Sequence, residues 1–380
     1  MLRAPERDPN APDIPTLRSY AEAIMGPCSS QWQTAMDAEM STWKSTGTYV
    51  DAVPPPGVNI VDGMWIFGVM WPSGSPSVFK ARYVARGFSQ RQGVDFFQTF
   101  SPTPKMTTLQ VLQQVTAQRD YKLHSLDFST AFLQGSLHKE IWLRRPPGFS
   151  GSYLAGTLWS LRRPVYGLRQ APREWHDTLR TTLAALQFAP STADPSLFLR
   201  TDTSLQPFYI LVYIDDLVFT TADTDALALV KSELQKRHTC TDMGELRRRV
   251  LEDVCAKSTL KIQAQQLHRR GAMAAQELRW LTYLQTDLGE RPRSPPVLYV
   301  DNKAMIALCQ EHELEHRSKH IALRYFLARE LQQRGQLRLA YVATRANTAD
   351  IFTKALQPGD HQHFCTVIGL VPTLPHLLTA

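Results

Sequence analysis

Two adjacent carboxylates stand inside an apolar run. Asp215 and Asp216 interrupt the stretch Phe208 to Phe219, flanked by Tyr209, Ile210, Leu211, Val212, Leu217, Val218 and Phe219. Burying a charge without a partner is costly, so such groups usually pair with an opposite charge or hold a metal ion. The run reads as two short buried strands with Tyr213-Ile214-Asp215-Asp216 at their junction, a hairpin with the acidic pair at its tip. Carboxylate oxygens presented in this way suit divalent cations, which take oxygen ligands.

A second strand with a carboxylate near its end lies 88 positions upstream, where Lys122 to Phe128 carries Asp127. If the two strands are sheet neighbours, three carboxylates converge. Three carboxylates can bind two Mg²⁺ ions, the arrangement that serves nucleotidyl transfer. Read singly, Asp127 is also a good strand-end cap and the acidic pair also fits a plain turn.

The rest of the pattern is mixed α and β. Helix spacing covers residues 31–43, 107–119 (with Thr107 or Thr108 as cap), 171–188, 225–238, 272–288 and about 318–334. Strands are expected at 64–70 and 78–86 around the turn Pro72-Ser73-Gly74-Ser75, and at 122–128, 297–300 and about 336–342. Pro5, Pro9, Pro12 and Pro15 break up the N-terminus, so residues 1–30 read as a poorly ordered lead-in without a secretory pattern.

Composition narrows the function classes. With 380 residues the chain is long enough for two or three domains, and its 43% hydrophobic residues argue against wholesale disorder. The net charge of +7 fits a nucleic-acid partner. Arg144-Arg145, Arg162-Arg163, Arg247-Arg248-Arg249 and Arg269-Arg270 cluster that charge, although solvated surface arginines would look the same. The five cysteines form no Cys-x-x-Cys pair, which points away from a disulfide framework and towards a reducing, intracellular location. No stretch is long and apolar enough to span a membrane as a helix.

Several ordered stretches carry a family resemblance. Lys80-Ala81-Arg82-Tyr83-Val84-Ala85-Arg86-Gly87-Phe88-Ser89-Gln90 is followed by Thr99-Phe100-Ser101-Pro102 and by Leu126 to Gly135. Tyr166-Gly167-Leu168-Arg169-Gln170-Ala171-Pro172-Arg173-Glu174-Trp175 and the Tyr213 to Asp216 box complete the set. Together they resemble the reverse transcriptase of copia-type retrotransposons. The resemblance implies an α/β right hand over 31–250, with fingers at about 31–120 and 165–190 and a palm up to about 243. It implies an RNA-directed DNA polymerase with Mg²⁺ or Mn²⁺ as cofactor. An RNA or DNA template-primer and deoxynucleoside triphosphates would be its partners. Asp127, Asp215 and Asp216 would be the catalytic metal ligands, joined by the backbone carbonyl of Phe128. Lys80 and Arg82, which share a strand face, would grip the triphosphate. Phe132 would lie under the sugar and exclude a 2′-hydroxyl. Gly167 would allow a close backbone approach to nucleotide or template, and Gln170 would brace that segment. Without the resemblance, Lys80 and Arg82 fit solvated strand positions, Phe132 an ordinary core ring and Gly167 a turn.

A second resemblance covers residues 271–365, ahead of a tail at 366–380. Val297 to Ala304, Lys319 to Ala322 and Thr348 to Lys354 are similar to the second half of the copia-type ribonuclease H domain, with Asp301 and Asp350 as two of its metal carboxylates. His312, His316 and His320 would share a helix face, but they fall in the family's non-zinc pattern. The first half of that domain is missing, as are the thumb and connection expected between about 250 and 271. This implies an internal deletion near 266–271, within a junction at 251–270, and no ribonuclease H activity. The polymerase segment departs from the family too. Met64, Gly68 and Met70 stand at lysine positions, Gln98 replaces Glu, Pro164 precedes the Tyr166 box and Leu251 replaces Gly. The alternative reading is therefore an inactive relic that at most binds nucleic acid. A helix and sheet that lost their partner strands must pack elsewhere, associate or stay loosely ordered.

Overall fold

A computed structural model of the chain describes residues 17, 19–70, 78–149, 156–200, 206–246, 271–290, 292–310, 327–352 and 356–367. The expected turn at 72–75, the three-histidine face, Leu251 and the whole 251–270 junction lie outside them.

Order begins earlier than the expected lead-in implies. Helix α1 (Tyr20–Met25) is capped by the Ser19 hydroxyl, which accepts from the Glu22 N–H at 3.3 Å, and it buries Ala23. Helix α1, which falls within the 1–30 stretch expected as a lead-in, packs against α2 (Ser29–Ser45), which buries Trp32, Met36, Met40 and Trp43 at helical spacing. After β1 (Tyr49–Ala52) and β2 (Ile60–Val61), strands β3 (Gly63–Met70) and β4 (Val78–Ala85) form an antiparallel hairpin. Trp65, Phe67, Ala81 and Tyr83 face inwards, and Trp32 of α2 meets Phe67 and Phe79 edge-on at 5.1 and 4.6 Å.

Helix α3 (Met106–Gln118) leads into β5 (Lys122–Phe128). Its N-cap is Lys105, not Thr107 or Thr108, and Thr108 instead donates its hydroxyl to the Asp194 carboxylate. Strands β6 (Ile141–Leu143) and β7 (Leu158–Leu161) join β1 and β2 in a four-stranded sheet of order β1-β7-β6-β2. Helix α4 (Ala171–Ala185) buries the stripe Ala171, Trp175, Leu179 and Leu183. Next come β8 (Ala189–Pro190), β9 (Leu197–Arg200), β10 (Phe208–Tyr213), β11 (Asp216–Thr221), α5 (Thr224–Arg237) and β12 (Cys240–Glu245). Six of these strands make one antiparallel sheet of order β12-β5-β11-β10-β9-β8. The upstream strand β5 is thus the direct neighbour of the acidic hairpin.

That sheet divides two cores. Leu126, Phe128, Ile210, Val212, Leu217 and Phe219 belong to the larger one, with residues of α2, α4, α5 and the β3–β4 hairpin. Tyr209, Leu211 and Leu197 belong to the other, with Val111, Leu112 and Val115 of α3. The second core is closed by α6 (Gly271–Asp287), which contributes Leu281 and Leu284 and is followed by Leu288. Polar contacts reinforce the seat. The Trp280 indole donates to the Ala193 carbonyl at 2.7 Å, the Asp287 carboxylate accepts from Ser191 Oγ at 2.6 Å, and the Tyr209 hydroxyl donates to the Leu288 carbonyl at 2.8 Å. Arg119 pairs with Glu290 at 2.7 Å.

The other side of α6 serves a third core. Ala275 and Leu278 pack with Leu298 and Val300 of β13 (Val297–Val300), Met305 and Cys309 of α7 (Lys303–Gln310), and Leu339 of β14 (Arg338–Tyr341). Strands β13 and β14 pair in parallel, so the chain crosses over between them. Helix α8 (Pro358–Val367) ends the described residues. Helix α6 thus packs onto the six-stranded sheet on one side and against the third core on the other.

Candidate active site

Strand pairing places the expected carboxylates together. Asp216 of β11 stands directly opposite Asp127 of β5, and Tyr213 stands opposite Asp216 across the hairpin. Residues paired in this way share a sheet face. The turn is made by Ile214 and Asp215. Its backbone is fastened twice: the Phe128 N–H donates to the Asp215 carbonyl at 2.8 Å, and the Trp175 indole donates to the Ile214 carbonyl at 2.7 Å. These bonds hold a strained geometry, because Ile214 is β-branched and has φ of +57°. A side chain of that shape in the left-handed region costs about 1–3 kcal/mol. A second β-branched residue, Thr130, has φ of +54° just beyond β5.

The electrostatics are those of an acidic cluster with no counterion at contact among the described residues. Burial pushes the Asp215 carboxyl above the usual carboxylate range, and negative Asp127 adds to the effect. Burial also raises Asp216, helped by Asp215 and then Asp127. Arg82 opposes the rise at Asp215. The donors are all oxygens, which suits a hard divalent ion. Among the described residues, no group of three or more acidic, His or Cys side chains stands close enough to form a ready metal cage.

Around the cluster, the Phe132 ring is buried and lies 4.6 Å from the Tyr166 ring, with Arg82 on Tyr166 at 4.8 Å. This stack joins two expected site residues through one, Tyr166, to which the sequence reading gave no role. Burial raises the Tyr166 hydroxyl, and Asp215 and Asp127 act on it in the same direction. Lys80 is exposed on the same strand as Arg82, two residues away. Trp175 was also given no role in the sequence reading, although the stripe at i, i+4 marked its helix face as buried.

Two of the expected site residues, Gly167 and Gln170, make close contacts within the scaffold. Gly167 has φ of +88°, and a Cβ there would stand 2.0 Å from the Ala85 carbonyl oxygen. Its close approach is to β4, where the Ala85 N–H donates to the Tyr166 carbonyl at 2.8 Å. Gln170 is buried, accepts from Gln90 Nε2 at 3.0 Å and donates to the Asp95 carbonyl at 3.2 Å. These bonds tie the head of α4 to the loop that follows β4. In the C-terminal segment, Asn347 Nδ2 lies 3.4 Å from both the Asp301 and Asp350 carboxylates, which brings those two residues together.

Comparison with known proteins places the chain. Residues 47–266 match the profile of the family described as reverse transcriptase (RNA-dependent DNA polymerase). The retrovirus-related Pol polyprotein from transposon RE2 of Arabidopsis thaliana is 26% identical over 510 residues, covering 93% of this chain and 35% of its own length. That from transposon TNT 1-94 of Nicotiana tabacum is 30% identical over 227 residues, covering 60% of this chain and 17% of its own. The chain therefore spans about a third or less of the length of these relatives. The RE2 alignment is longer than the 380-residue chain, so within it the relative holds long stretches that this chain lacks. A solved foamy viral protease-reverse transcriptase in complex with double-stranded DNA overlays 57% of this chain and 31% of its own, at a TM-score of 0.30 and 12% identity. That overlap is too slight to carry an argument.

Proposed function

The chain belongs to the reverse transcriptase family of copia-type retrotransposons, and on that premise we propose that it is an RNA-directed DNA polymerase fragment acting through Asp127, Asp215 and Asp216. The observation that carries the reading is the register in which Asp216 faces Asp127, next to the pinned turn that holds Asp215. In this reading the six-stranded sheet is a palm, the β3–β4 hairpin belongs to the fingers, and a complete thumb is absent.

The three carboxylates and the Phe128 carbonyl would hold two Mg²⁺ ions, or Mn²⁺, after side-chain rotation on a fixed backbone. Such ions, when bound, activate a primer 3′-hydroxyl and neutralise the leaving pyrophosphate. The other residues have separate tasks. Arg82 draws the triphosphate of an incoming deoxynucleotide towards the cluster by charge-assisted hydrogen bonds. Exposed Lys80 adds to that field. The Phe132 ring excludes a ribose 2′-hydroxyl by contact, and Tyr166 holds both Phe132 and Arg82 in place. Trp175 keeps the hairpin tip from shifting, which matters because small misplacements of reacting groups cost large factors in rate.

Primer extension on an RNA template tests the reading, with Asp215→Asn as the control. Template-dependent synthesis that the substitution removes supports the polymerase. A second reading, a relic that only binds nucleic acid, is favoured by the stretches of RE2 that this chain lacks. Salt-sensitive binding without any synthesis would select it.

A further inference from the structure

The connection between β4 and α3 exposes more large apolar surface than packing needs. Phe88, Phe97 and Phe100 are 73%, 60% and 75% exposed, and Val94 is 57% exposed. Phe100 sits in the Thr99-Phe100-Ser101-Pro102 stretch, which has no part in the acidic site. The backbone that carries these rings is pinned. The Asp95 carboxylate accepts from the Arg91 N–H and from Asn59 Nδ2, both at 2.6 Å. The Gly93 N–H donates to the Phe96 carbonyl at 2.8 Å, and Ser101 Oγ donates to the Pro172 carbonyl at 3.2 Å. Rings on a backbone held in this way are presented to solvent by the fold.

Cations accompany the rings. Arg86 lies 5.6 Å from the Phe88 ring and Lys139 lies 4.7 Å from the Phe97 ring. Beside Phe97 opens a cleft of about 260 Å³, whose lining includes Gln98, His138, Lys139 and Arg173. Its three carboxylates are answered locally: Glu174 is paired with His138, Asp177 lies 3.6 Å from Arg173, and Asp95 accepts from the Arg91 N–H and Asn59 Nδ2. The strip is also tied to the catalytic hairpin. Arg169 donates through Nε to the Gly87 carbonyl at 2.8 Å, Gln90 bonds Gln170 at the head of α4, and α4 carries Trp175.

We propose that Phe88, Phe97 and Phe100, with Arg86 and Lys139, form a stacking strip for the unpaired bases of a single-stranded polynucleotide. In the polymerase reading, on which this assignment rests, the strand is the template ahead of the site. Aromatic faces stack bases of any sequence, and adjacent cations answer the phosphates. A duplex keeps its base faces covered by its own stacking, so such a strip favours single strands.

The test is fluorescence anisotropy of the full chain without divalent ions, using a 20-nucleotide oligothymidylate and a blunt-ended hairpin duplex. Phe97→Ala and Phe100→Ala each weaken oligothymidylate binding about tenfold, the size of one lost stacking contact. They leave the slope of log affinity against log salt unchanged and leave duplex binding unaffected. Lys139→Gln flattens the slope, because it removes a phosphate contact. Phe97→Tyr retains binding, which separates a lost ring from a lost fold. Single-strand affinity within twofold of wild type in both alanine variants overturns the proposal, as a protein-docking face would predict. An equal loss for single strand and duplex overturns it as well. Failed primer extension beside intact ring effects rejects only the polymerase reading, and the converse rejects only the strip.

Discussion

At the scale of single residues, the acidic hairpin carries a cost in stability at neutral pH. In the folded chain, the Asp215 and Asp216 carboxyls are held above their ordinary value of 3.8. A group raised in this way stabilises the folded state while protonated, and that contribution is lost as pH rises through its folded value. In chelator at neutral pH, Asp215→Asn is therefore expected to raise the thermal midpoint by a few degrees, roughly. The difference should shrink as pH falls towards the ordinary carboxylate range. Added Mg²⁺ should raise the midpoint of the wild type more than that of the variant, because ligands that bind only the folded state stabilise it. The same substitution should lower primer extension by more than about a hundredfold. Calorimetry and an extension assay on one preparation check both signs. A midpoint that falls at neutral pH would show that Asp215 is held by favourable contacts instead.

At the scale of elements, two joints hold the site. The first is the loop ahead of α4. Gly167→Ala would place a methyl group against the Ala85 carbonyl in a left-handed backbone. The expected loss is at least about 2 kcal/mol in urea denaturation, from the left-handed conformation and the clash together. The second joint is α6. Leu284→Ala should destabilise by about 2–5 kcal/mol and speed amide exchange in α3 and β10. Leu298→Ala, in the third core, should leave those amides protected.

The elements also show where the sequence was legible. The hairpin, β5 and the helices α2, α4 and α5 follow from apolar period alone, and the register sets Asp216 opposite Asp127 with Asp215 in the adjoining turn. The four-stranded sheet was invisible, because β2 has two residues, β6 has three, and β1 finds its partner β7 more than a hundred residues away. Thr108 was misread as a cap because its Asp194 partner is distant in sequence. Tyr166 was passed over for the same reason: its role consists of contacts with Arg82 and Phe132, remote segments that only the fold brings together.

At the scale of the whole molecule, the net charge of +7 predicts that any binding to polynucleotide weakens as salt rises. The C-terminal segment brings Asp301 and Asp350 together through Asn347. Two carboxylates are a thin ligand set for two-metal hydrolysis. Incubation of the chain with an RNA–DNA hybrid and Mg²⁺ is expected to leave the RNA intact. Specific cleavage that Asp350→Asn abolishes would reverse that expectation.

Helix α6 ties the fate of the C-terminal segment to that of the six-stranded sheet. Leu281 and Leu284 face one core while Ala275 and Leu278 face another. A random change on either face therefore reaches a different half of the chain, and a stop codon ahead of the helix would strip a wall from the core against the six-stranded sheet. Selection for a folded six-stranded sheet would therefore keep this helix whatever the C-terminal segment itself does.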